Sequence, residues 1–264
     1  GPGGFRLCSG RTPVVFMQGF GRQTLWLMSV FSSIDRRILA IALPSIVSNI
    51  TVPLLGLVDV AVTGHMGADG DTVGALPASY YVGAIAVGGM LFNIIYWMFG
   101  FLRMGTGGET AQAWGRRDLD GVVLLLVRSL LLALVLALVL LALSPLVRDG
   151  ALWYIAPEAE VASLARTYFN ICIWGAVPAL GLFAMNGWYI GMQNSRFPMI
   201  VAIGQNLLNI ACSIFFVYAL GMRIEGVALG TLLAQWVAFI IALLLCLRYY
   251  RRLWKRKSFR VPSF

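Results

Sequence analysis

The chemistry in this sequence begins at Asp59, a carboxylate set in the apolar string Pro53-Leu-Leu-Gly-Leu-Val-Asp59-Val-Ala-Val-Thr63. An ionised carboxylate at the centre of a membrane helix costs roughly 2.5–3.5 kcal/mol even on lenient scales, so such a group normally faces a bundle interior or a water-filled cavity. A carboxylate held there can act as a switch that changes charge by taking up a proton. The competing reading is a residue near a helix end, solvated by interfacial water. Depth arithmetic brings other polar side chains to the same level. At 1.5 Å per residue, Asp59 lies about 7 Å below the helix end near Gly64, Tyr168 about 10 Å, Ser213 about 12 Å, Asn209 about 18 Å and Thr231 about 10 Å. Asn209 and Ser213 share a helix face by their i, i+4 spacing, as do Gln205 and Asn209, and Thr231 and Gln235. Taken singly, Asn, Gln and Thr are often only interhelical glue. Gathered around a carboxylate, they describe a hydrated pocket. Pro44 and Pro53 interrupt the same segment, and each removes a backbone hydrogen bond. Kinks there, with Gly56 beside Asp59, would couple protonation to helix bending; a static kink is the alternative.

Other reactive residue types give little. Cys8, Cys172, Cys212 and Cys246 contain no Cys-x-x-Cys pair, and three fall in apolar runs, which makes them buried small hydrophobes. The single histidine, His65, has no second ligand near it and reads as an interfacial residue. No His-x-x-x-His, Gly-x-Ser-x-Gly, P-loop or paired-carboxylate pattern occurs in the apolar segments. The expectation is a protein that is not an enzyme and holds no metal or organic cofactor.

Composition states what must position these groups. Of 264 residues, 59% are hydrophobic and 12% charged, against roughly 25% charged in soluble domains. A soluble globule, a nucleic-acid binder and a disordered chain are excluded together. Six stretches reach the roughly 20 apolar residues needed to cross a bilayer, at about 38–64, 79–105, 121–147, 161–191, 197–221 and 224–249. Barrel-type alternation is absent, so the expected class is an all-α integral membrane protein, a six-helix transmembrane bundle. Turn residues mark the connections: Gly67 to Gly74, Gly115 to Asp118, Pro145 to Pro157 and Gln193 to Pro198. The link between the fifth and sixth spans, from Gly221 to Ile224, is so short that those helices must be antiparallel neighbours.

The net charge of +9 is distributed by topology. Arg36, Arg37, Arg103, Arg116, Arg117 and Arg196 flank one side, together with seven basic residues of the tail, Arg248 to Arg260. The other side holds Arg148, Arg166 and Arg223 among Asp69, Asp71, Asp149, Glu158, Glu160 and Glu225. The positive-inside rule then puts both termini in the cytoplasm. The expected organisation is an N-terminal extension over 1–35 with a natural start near Met28, a membrane lobe over 36–250, and a basic tail over 251–264 that contacts anionic lipid. Gly83 to Gly89, and Gly100, Gly105, Gly107 and Gly108, are expected to serve close helix packing.

The run Ala42-Leu-Pro-Ser-Ile-Val-Ser-Asn-Ile-Thr-Val-Pro-Leu-Leu-Gly-Leu-Val-Asp-Val-Ala-Val-Thr-Gly-His65 resembles the first helix of MATE multidrug efflux transporters, particularly their DinF-like branch. Phe99-Gly-Phe-Leu-Arg-Met-Gly-Thr106 with Ala111-Gln-Ala113 is similar to the end of the second helix. Ile173-Trp-Gly-Ala176 and Gly226-Val-Ala-Leu-Gly-Thr231 are similar to the fourth and sixth. The resemblance implies that Asp59 is the cation-coupling carboxylate, accompanied by Tyr168, Asn209 and Thr231. Many relatives carry an acid where this chain has Ser213, so the resemblance implies proton rather than sodium coupling. It also implies twelve helices in two lobes, of which this sequence holds six. The expected partner is therefore a second six-helix lobe, or a second copy forming a homodimer. Together these readings predict one lobe of an antiporter in the cell inner membrane, exporting an organic cation or amphipathic drug. The alternatives are a lipid-linked oligosaccharide flippase of the same superfamily, a membrane-embedded enzyme, and a non-transporting fragment or scaffold.

Overall fold

The computed structural model describes residues 46, 57, 58, 60–64 and 76–258, all within the unit Pro44–Phe264. Asp59, His65, Pro44 and Pro53 lie outside the described residues, as does most of the expected first span. In order, the elements are α1 (Ala78–Met98), α2 (Gly100–Gly115), α3 (Leu119–Ile155), α4 (Ala159–Cys172), a 3-10 turn (Ile173–Gly175), α5 (Ala176–Gly191), α6 (Arg196–Ile214), a π-helical segment (Phe215–Ala219) and α7 (Ile224–Ser258). Five helical stretches are long and apolar enough to cross a membrane: Ala78–Gly115, Leu119–Ile155, Ala159–Gly191, Arg196–Ala219 and Ile224–Tyr249. They coincide with the second to sixth stretches expected from sequence.

One span is central. In Ala159–Gly191, 72% of the most apolar window is buried, against 17–28% in the other four. Its first half, α4, packs on α1 and α7, and its second half, α5, packs on α2, α3 and α7. Helices in lipid gain nothing from hiding leucine, so close packing of small residues must hold them. Ala234, Ala238, Ala242 and Cys246 are buried at i, i+4 spacing on α7, as are Ser129, Ala133 and Ala137 on α3. Leu131, Leu134, Leu138 and Leu247 are exposed instead. Cys172 is likewise buried, its thiol directed at the Ala228 carbonyl. As expected, α6 and α7 are packed neighbours, joined through Gly221 at φ +63°.

The turn expected from Pro145 to Gly150 is not there. Helix α3 runs through Pro145, Asp149 and Gly150, and the chain turns only at Ala156 and Pro157. Pro145 has no N–H to give the Leu141 carbonyl, but Ser144 Oγ donates to that oxygen at 2.7 Å. The adjacent hydroxyl supplies the lost bond, so the proline does not end the helix. The 3-10 turn in the fourth span and the π segment after α6 had no counterpart in the sequence reading.

Candidate functional site

Helices α6 and α7 carry the polar side chains that depth arithmetic brought together. Asn209 and Ser213 are buried, at 4% and 0% exposure. Asn209 Nδ2 donates to Thr231 Oγ1 at 3.0 Å, and Ser213 Oγ donates to Asn209 Oδ1 at 3.4 Å. Thr231 Oγ1 in turn donates to the Val227 carbonyl at 3.1 Å. Three of the expected residues are therefore one hydrogen-bonded unit between two apolar helices. Amide and hydroxyl groups at this depth are costly unless paired, and here they pair with each other.

Gly230 makes the meeting possible. A Cβ at that position would sit 2.7 Å from Ser213 Oγ and 2.9 Å from the Ser213 backbone nitrogen. Only a residue without a side chain lets the α7 backbone approach α6 closely enough for Asn209 to reach Thr231. The sequence reading included Gly230 in a motif but gave it no role. Immediately beyond Ser213 the helix widens into the π-helical segment Phe215–Ala219, a feature that recurs at functional positions because it distorts the regular ladder.

Tyr168 is buried, its ring edge-on to Phe92 with centroids 6.4 Å apart. It fits against Gly88, where any Cβ would strike the ring. It belongs to the same apolar cluster as Val227 and Ala228, the turn of α7 preceding Thr231. Val58 and Val62, which bracket Asp59 in sequence, pack against this cluster too. One turn beyond Thr231, Gln235 lies over the Gly175 turn of the fourth span. The Tyr96 hydroxyl, likewise buried, lies against the Gln235 side chain. Tyr96 was missed because a tyrosine in an apolar run carries no pattern that separates a buried hydroxyl from an interfacial one. Gln235 was visible through its i, i+4 relation to Thr231.

At the other end of the fourth span, Trp188 Nε1 donates to the Val122 carbonyl at 2.9 Å and Tyr189 OH to the Ala242 carbonyl at 2.8 Å. A Cβ on Gly187 would collide with the Arg103 carbonyl oxygen, and one on Gly191 would lie 2.7 Å from the Gly107 carbonyl oxygen. The backbones of α2 and α5 therefore touch. Of the packing role expected for Gly100, Gly105, Gly107 and Gly108, only that of Gly107 holds, since a Cβ at the other three would meet nothing within 4 Å; the counterpart on α5 is the glycine pair Gly187 and Gly191. Among the described residues, no group of three or more His, Cys, Asp or Glu side chains is placed to hold a metal.

Long apolar helices around a buried polar layer define an α-helical integral membrane protein. The chain belongs to the MatE family, which it matches over residues 44–215. It is 37% identical over 219 residues to DNA damage-inducible protein F of Escherichia coli (strain K12), covering 83% of this chain and 45% of that protein. Multidrug and toxin extrusion protein 2 of Mus musculus is 27% identical over 232 residues, covering 84% of this chain and 38% of that one. Among solved structures, a MOP superfamily transporter from Pyrococcus furiosus superposes with a TM-score of 0.68 at 23% identity, over 78% of this chain and 43% of that chain. An outward-facing multidrug resistance MATE family transporter gives the same TM-score of 0.68, also at 23% identity. The fold is that of MATE transporters. The chain spans less than half the length of these relatives.

Proposed function

We propose that this chain is the N-terminal six-helix lobe of a proton-coupled efflux antiporter that exports amphipathic, cationic compounds, with Asp59 as its coupling carboxylate. The observation that carries the reading is the Asn209–Thr231 hydrogen bond of 3.0 Å, with Ser213 attached, inside an otherwise apolar bundle. Val58 and Val62, neighbours of Asp59 in sequence, share a cluster with Tyr168 and Val227, which supports bringing that stretch of chain to this part of the bundle. The family membership and the multidrug names of the relatives support the export reading.

In the proposed cycle, a proton from the outer side neutralises Asp59. The first helix bends near Pro53, the pocket around Tyr168, Asn209, Ser213 and Thr231 contracts, and bound substrate is displaced outward. A neutral Ser213 leaves one carboxylate in the layer, which suits a proton better than sodium, since a bare cation needs more charge and more oxygen ligands. Both termini face the cytoplasm of the cell membrane, and a second lobe completes the cleft that alternating access requires. Only Arg103, Arg128 and Arg166 lie near the spans as candidate cavity bases, which favours an antiporter over a flippase that would line its cavity with basic residues.

The test is substrate-driven proton exchange in proteoliposomes, using a version with both lobes. Asp59→Asn is expected to abolish exchange while the protein still folds and binds substrate. Exchange that persists in Asp59→Asn would overturn the proposal.

A further inference from the structure

A groove of about 210 Å³ opens between α2 and α3, and its two charged residues differ in sign. Its walls include Phe101 and Leu132, its floor Thr106 and Ser129, and its rim Glu109 and Arg128. The floor residues are buried, and Glu109 and Arg128 are exposed. Among the described residues, neither rim charge forms an ion pair. The groove is roomy for a single ion, since a water molecule's share of liquid is about 30 Å³.

Its height relative to a bilayer follows from the charges. On α3, residues 129–147 are free of charge, with Arg128 and Arg148 at the two ends. That stretch is about 28 Å long at 1.5 Å per residue, close to the ~30 Å of a hydrocarbon core. On the partner helix the charge-free run ends at Arg103. Arg128 therefore marks the hydrocarbon boundary, and the groove straddles it. The helices are antiparallel about the turn at 116–118, so Arg128 is level with Thr106, and Glu109 is one turn, about 4.5 Å, further out. Phe101 and Leu132 lie deeper, on the hydrocarbon side. Moving outward, the order is apolar wall, then the hydroxyls with the cation at their level, then the anion.

We propose that this groove is a site for a phospholipid whose headgroup carries a phosphate and a primary ammonium, the phosphatidylethanolamine class. The acyl chains follow Phe101 and Leu132, and the glycerol ester region meets Thr106 and Ser129. The phosphate pairs with Arg128, and the ammonium, which lies outside the phosphate in such a lipid, donates to Glu109. Charge-assisted hydrogen bonds of this kind are the strong ones, and a quaternary choline cannot donate to the carboxylate. The inference rests on the membrane reading of the helices and is independent of how Asp59 works.

Native mass spectrometry of the purified chain, with equal amounts of phosphatidylethanolamine and phosphatidylcholine of matched acyl chains, tests it. The unmodified chain is expected to retain phosphatidylethanolamine several-fold over phosphatidylcholine. Glu109→Gln, an exposed change that keeps the helix, should bring the ratio to about one, and Arg128→Gln should reduce retention of both lipids. An equal ratio in the unmodified chain, or an unchanged preference in Glu109→Gln, would overturn the site. So would displacement of the lipid by an equal concentration of free phosphoethanolamine, which would mark a pocket for a soluble phosphate.

Discussion

The end of the bundle around Trp188 and Tyr189 and the end around Asn209 and Thr231 are both deeply buried, yet they use polar atoms differently. At the first, the Trp188 and Tyr189 donors each meet a backbone carbonyl on another helix, at 2.9 and 2.8 Å. The glycine pair Gly187 and Gly191 presses backbone against backbone there. At the other end, side chains bond to side chains, and the buried Tyr96 hydroxyl lies against the Gln235 side chain. The helices there depart from regular geometry at the Ile173–Gly175 turn and the Phe215–Ala219 segment. One end is built to stay fixed. The other joins its helices through side-chain hydrogen bonds at membrane depth, as the proposed coupling site would require.

Substitutions can break that contrast, and the largest effect is expected at the fixed end. Gly187→Leu puts a side chain where even a Cβ meets the Arg103 carbonyl oxygen. Overpacking commonly costs about 1–3 kcal/mol, and with backbone on both sides the upper part of that range is expected. The thermal midpoint in detergent should fall sharply, or folded protein should be lost. A midpoint unchanged from the parent would show that α2 and α5 are not locked. A smaller effect is expected for Tyr189→Phe, which removes the bond to the Ala242 carbonyl. That bond is worth about 0.5–1.5 kcal/mol, so the midpoint should drop modestly, and exchange in a version with both lobes should be unaffected. Loss of exchange in Tyr189→Phe would extend the working site to the fixed end.

The polar layer was more legible in sequence than the fixed end, for a physical reason. Polar residues in an apolar run stand out because burying them is costly, and fixed helical spacing gives their depth. Asn209, Ser213 and Thr231 were found in that way, and the structure bonds them together. Glycine and alanine in an apolar run carry no such signal. Gly187 and Gly230 matter only because of the backbone across from them, which is tertiary information. Pro145 misled for the opposite reason. It is a strong local breaker, and only the Ser144 hydroxyl on the Leu141 carbonyl shows how the helix absorbs it. The five described spans followed from hydropathy alone. The 3-10 turn and the π segment did not, because Ile173-Trp-Gly and Phe215-Phe-Val-Tyr-Ala contain no residue that demands them.

The central claim is that the layer around Asn209 works through its hydrogen bonds. Substrate-driven proton exchange by Thr231→Val, in a version with both lobes, tests it most directly. The change removes the acceptor of the Asn209 amide and keeps the shape of the side chain. Exchange should fall several-fold while the protein still folds, with a thermal midpoint above that of Gly187→Leu, and Thr231→Ser, which restores the hydroxyl, should recover it. Exchange at the parent rate in Thr231→Val would contradict the account.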